Sequence, residues 1–115
     1  MNTFAGNREP GSFLPLTAVQ FEILLSLAET ERHGYAIMQE VESRSRLTLL
    51  PGTLYRAIGS MLDDGLIEEM DGPGDERRRY YRLSKLGHQV AALEARRVNE
   101  QVRAARARKL LRGEA

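Results

Sequence analysis

Pro51-Gly52-Thr53-Leu54-Tyr55-Arg56-Ala57-Ile58-Gly59-Ser60-Met61-Leu62-Asp63-Asp64-Gly65-Leu66-Ile67 is the stretch that decides the fold. Proline suits the first helical position, where its missing N–H would have no partner anyway, and threonine suits a first turn. Leu54, Ala57, Ile58, Met61 and Leu62 then recur at three- and four-residue spacing, so this helix buries one face. Gly65 follows at the point where a left-handed residue ends a helix without a Cβ penalty, and Leu66 can fold back on the last turn. Beyond it the period changes. Leu66–Met70 and Arg78–Leu83 are short β-type runs, and the turn-rich 71–77 between them predicts a hairpin.

Upstream, Thr17 and Gln20 form the two halves of a capping box, opening a helix that buries Val19, Ile23, Leu24, Leu27 and Ala28. Glu29-Thr30-Glu31-Arg32 ends it. A second helix spans Gly34–Arg44 with Ile37, Met38 and Val41 inward, and the connector Ser45–Pro51 is expected to tuck under the next helix as a very short strand. Downstream, Ser84 caps a last helix running from Lys85 to Leu111, too long for a domain of this size to cover alone. Along it Ala91, Ala95, Val98, Val102 and Ala105 follow the four-three spacing of a helix pair. With Leu86, Val90 and Leu93, which also reach toward the domain's own core, these are the candidate contacts with a second copy. The expected organisation is a flexible arm over 1–15, a compact domain over 16–84, a dimerisation helix over 85–112 and a tail over 113–115.

The 115 residues suffice for one core. No cysteine is present and there are only two histidines, His33 and His88, which removes disulfides, thiolate chemistry and a histidine metal cage; no cofactor is expected. No apolar run reaches a membrane-spanning length and the start does not read as a secretory leader, so a cytoplasmic protein is expected. Enzymatic chemistry lacks its parts: there is no phosphate-binding glycine loop opening a helix and no nucleophile elbow. Asp63-Asp64 and Glu68-Glu69 are merely adjacent in sequence. The net charge of +1 conceals a polarity. Residues 1–76 carry five Arg against thirteen Asp and Glu, net −8, whereas residues 77–112 carry twelve Arg and Lys against two Glu, net +10. Such asymmetry points to a polyanion or a charged association surface, or else to a solvated basic helix.

Three helices, a hairpin and a long last helix are the order of a winged helix-turn-helix: mainly α with a small antiparallel β-hairpin. In that architecture the third helix enters the DNA major groove and the hairpin lies along the backbone. Thr53, Tyr55, Arg56, Gly59 and Ser60 occupy the exposed face of helix three. Arg56 suits a fork contact to guanine or phosphate, and Tyr55 a phosphate or a thymine methyl. Gly59 either permits close approach or is simply tolerated in packing. Arg77, Arg78, Arg79 and Arg82 beside Tyr80 and Tyr81 suit phosphates, unless Glu68, Glu69, Asp75 and Glu76 neutralise them across the hairpin. His33, Gly34 and Tyr35 at the start of helix two offer a phosphate clamp on its free amides, or a turn and a core aromatic. Asp63-Asp64 repel phosphate at the far end of helix three, leaving its first turns to do the reading.

His33-Gly34-Tyr35, Pro51-Gly52-Thr53-Leu54-Tyr55, Asp64-Gly65-Leu66-Ile67 and Arg78-Arg79-Tyr80-Tyr81-Arg82-Leu83-Ser84 with Gly87 together resemble the PadR family over roughly residues 16–88. The resemblance implies a winged-helix transcriptional regulator, usually a repressor, that dimerises through its C-terminal helix. It also implies that Tyr55 and its neighbours contact double-stranded DNA, with wing arginines on the backbone. Two such copies call for a roughly palindromic operator. In some members a small aromatic or drug-like molecule releases DNA. A winged helix that binds an acidic protein and not DNA is the alternative that fold alone leaves open, and a slot beside Phe4, Phe13 and Leu14 is the place sequence offers a flat ligand.

Overall fold

The computed structural model describes residues 8–74 and 77–111. Four helices and three short strands follow one another: α1 (Ala18–Glu29), β1 (Arg32–His33), α2 (Gly34–Arg44), α3 (Pro51–Asp63), β2 (Ile67–Asp71), β3 (Arg79–Leu83) and α4 (Lys85–Ala107). α1 opens on the expected capping box, Thr17 accepting the Gln20 amide while the Gln20 side chain accepts that of Thr17. α3 ends at Gly65, with φ of 77°, its N–H on the Leu62 carbonyl and that of Leu66 on Met61. Ser84 caps α4 by accepting the Gly87 amide at 2.9 Å while donating to the Gly65 carbonyl at 2.6 Å. One hydroxyl thereby ties the end of α3 to the start of α4.

The core gathers Leu16, Ile23, Leu24, Leu27, Ile37, Val41, Leu49, Leu54, Ile58, Met61, Leu66, Ile67, Tyr81, Leu83 and Val90. Arg44 bridges Glu22 of α1 and Glu40 of α2, which fixes the crossing of those helices and raises the guanidinium's affinity for its proton. Gly87 is required by packing, because a Cβ there would collide with the Leu66 carbonyl.

Four features differ from the sequence expectations. The sheet has three strands, ordered β1-β3-β2, because Arg32 and His33 pair antiparallel with Tyr81 and Tyr80. Two residues are too short for a period-two pattern to register. The connector expected as a short strand forms no strand. Within the arm expected over 1–15, Pro10–Phe13 form a 3-10 turn seated on α4, and Phe13 and Leu14 pack against the core; residues 1–7, with Phe4, lie outside the described residues. Finally, α4 stops at Ala107 and not Leu111. Lys109 takes φ of 65° and the Leu110 amide returns to the Ala105 carbonyl, a left-handed stop that no glycine announces in the sequence.

Candidate nucleic-acid interface

Leu54, Ile58 and Met61 turn α3 so that one stripe is buried. At 100° per residue the opposite side carries Gly52, Arg56, Gly59, Ser60 and Asp63, with Thr53 half-buried at its margin. Arg56 makes no ion pair with any described residue, so its guanidinium is available to a ligand. A Cβ at Gly59 would meet nothing within 4 Å, which makes this side flat and open where the helix faces outward. Tyr55 flanks the stripe, 51% exposed, and its ring lies over Gly34: a Cβ at Gly34 would come within 2.8 Å of the Tyr55 Cζ. The tyrosine thus leans on the first turn of α2 because that residue has no side chain.

The same contact closes a cavity of about 180 Å³ lined by His33, Gly34, Tyr35, Tyr55, Arg78, Arg79 and Tyr81. Six of these seven are candidates from the sequence, drawn from three separate segments. Tyr81 is the seventh; it pairs with Arg32 of β1 and is buried. Burial, reinforced by Glu69, pushes the Tyr81 phenol above its ordinary range, so it remains a hydroxyl. Thr53, Arg56 and Ser60 lie along α3 outside the cavity, and Arg77 is exposed next to the hairpin tip.

His33 is the N-cap of α2. Its Nδ1 accepts the Ala36 amide at 3.1 Å, and its ring stands edge-on to Tyr80 at 5.3 Å. It therefore consumes one of the amides that a phosphate clamp at this helix start would use. Tyr35 is not a core aromatic, being 55% exposed. On the hairpin, part of the arginine cluster is neutralised. Arg79 donates to Glu69 at 2.8 Å with Asp71 at 3.7 Å, and Arg82 donates to Glu68 at 3.0 Å. The Arg79 bond holds the Glu69 carboxyl below its ordinary range and raises Arg79. At the far end of α3, Arg8 stands 3.7 Å from Asp64 and softens the acidic pair there.

On α4 the eight candidate contacts divide. Val90 is 0% exposed in the single chain and belongs to the domain core, which corrects its placement on an intermolecular seam. Leu86 and Ala91 pack against the same core. Leu93 lines a groove with Pro10, Gln89, Ala92 and Arg96. Only Ala95, Val98, Val102 and Ala105 continue along the helix beyond that packing, with Ala95 exposed and the other three half-buried. No group of His, Cys, Asp and Glu suited to a metal occurs among the described residues, and no helix there is long and apolar enough to cross a membrane.

Comparison with known proteins agrees with this geometry. The model of the "Transcriptional regulator PadR-like family" matches residues 23–93. "Transcriptional regulator Rv3488" of Mycobacterium tuberculosis is 37% identical over 98 residues, 84% of this chain and 86% of that protein. A PadR family transcription regulator from Clostridium difficile R20291 superposes with a TM-score of 0.72 at 24% identity, covering 77% of this chain and 95% of that one. RosR of H. salinarum does so at 0.65 and 26% identity, over 85% and 96%. The overall fold is thus similar to that of the solved structures, and the chain belongs to the PadR-like family of transcriptional regulators, a family of regulators and not of enzymes, whose membership implies DNA binding.

Proposed function

We propose that the chain is a homodimeric repressor that reads a roughly palindromic operator with the first turns of α3. The observation that carries this is the cavity that joins His33, Gly34, Tyr35 and Tyr55 to the wing residues Arg78 and Arg79, beside the outward stripe of α3. Arg56 reads a base edge, with Thr53 and Ser60 along the same groove; Tyr55 and the start of α2 hold one phosphate stretch, and Arg77, Arg78 and Arg79 the next. Arg79 exchanges Glu69 for phosphate when DNA arrives, a swap made easy because both partners face solvent. Residues 16–84 are the reading domain and the segment from 85 the dimerisation helix, through Ala95, Val98, Val102 and Ala105. The groove of about 320 Å³ along Pro10, Leu93 and Arg96 is where an apolar effector with an anionic group fits.

Hydroxyl-radical footprinting on DNA upstream of the chain's own gene tests this. Two protected patches about one helical turn apart are expected. A single patch would remove the dimer, and uniform weak protection would favour a protein partner over DNA.

A further inference from the structure

Between α2 and α3 the chain runs through Ser45–Leu50 with alternating sides. Leu47 and Leu49 turn inward, Leu49 fully buried, while Arg46, Thr48 and Leu50 turn outward. Leu50 is 63% exposed and lies outside the core cluster, although it is the residue immediately before the reading helix. It is the N-cap of α3: its carbonyl accepts the Leu54 amide at 2.9 Å, and its side chain makes no cap. A polar residue would serve that position better on helix grounds alone. Beside it stands Gly52, whose missing side chain leaves space bounded only by the Arg56 guanidinium, 3.6 Å from where a Cβ would sit.

The first residues of a reading helix meet base edges. In the major groove the thymine C5-methyl is the apolar feature that an aliphatic side chain recognises. Resting on the DNA-binding role proposed above, we infer that Leu50 reads a thymine methyl at the entry of α3 into the groove, with Arg46 on a flanking phosphate. Arg46 is exposed and makes no ion pair with any described residue. The connector is thus a second specificity element, next to Arg56.

The test uses full-length protein and a duplex enriched from random-sequence DNA by the wild type. Thymines are replaced one at a time by deoxyuridine, which lacks only the methyl. One replacement per half-site is expected to weaken the wild type about five- to tenfold, the scale of a single altered base pair. Leu50→Ala loses a similar factor on the parent duplex and becomes indifferent to that replacement, whereas Leu50→Met keeps the dependence. Arg46→Ala weakens the enriched and a scrambled duplex alike and lowers the salt slope by about one per contact. Equal thermal unfolding of the variants establishes that all are folded. Overturning outcomes are a wild type indifferent to every replacement, or a Leu50→Ala that keeps the full methyl dependence. Failure to enrich any duplex would instead sink the DNA-binding role on which this rests.

Discussion

Gly34 and Gly87 are both glycines because something else occupies the space of a side chain, but the occupants differ. At Gly87 it is the Leu66 carbonyl, part of the backbone, so a larger residue must push the wing away from α4. At Gly34 it is the end of the Tyr55 side chain, which can swing aside. Gly34→Ala is therefore expected to fold, with a stability change within about 1 kcal/mol as helix propensity and displaced packing offset each other. It should nonetheless weaken DNA binding, because Tyr55 loses the shelf that aims it. Urea unfolding and DNA titration of the same sample check both halves; normal DNA binding would show that the Tyr55–Gly34 contact is packing only. The glycine after His33 and the tyrosine four residues past Pro51 were legible as separate candidates in the sequence. Their contact was not, since no local pattern pairs residues twenty-one positions apart.

At the scale of elements, each helix was readable where its end carries a side-chain signal. Thr17 with Gln20, Pro51, Gly65 and Ser84 all mark ends that the structure has. Where the signal is backbone alone, as at Lys109, the end was missed; α2 begins at Gly34 as expected, and only the capping role of His33 went unread. The strand Arg32–His33 exists because β3 offers an edge, and Arg32 adds a bond from its Nε to the Ser26 carbonyl at 2.8 Å that closes α1. On α4, Glu94 is 2% exposed and takes two bonds from Arg97 at 2.8 and 2.7 Å, and the nearby Leu16 backbone further favours its charged form. The Arg97 pair holds the Glu94 carboxyl below its ordinary value of 4.5. A carboxyl lowered on folding stabilises above that ordinary value, and its contribution is lost as pH falls through the lowered one. Glu94→Gln should cost about 1–2 kcal/mol at neutral pH, the Arg97 end being partly solvated. The gap to wild type should shrink below pH ~4.5. A gap that stays constant down to acid unfolding would mean the charge on Glu94 contributes nothing.

On the scale of the whole molecule, ion pairs take up part of the arginine count of the sequence. Arg44 is spent between α1 and α2, Arg32 on α1, Arg79 and Arg82 on the hairpin carboxylates and Arg97 on Glu94. Composition overstated the basic surface because ion pairing across strands and helices is invisible to a count. Arg56 on α3, Arg46 before it and Arg77 next to the hairpin tip are exposed and make no ion pair with any described residue. The central claim is that Arg56 reads sequence. Fluorescence anisotropy of wild type and Arg56→Ala on the upstream duplex and on a scrambled one, at two salt concentrations, tests it most directly. The wild type is expected to prefer the upstream duplex by about a hundredfold or more, with a steep salt dependence. Arg56→Ala should lose about 1–3 kcal/mol on that duplex and little on the scrambled one. Equal losses on both duplexes, or no preference in the wild type, would contradict the account.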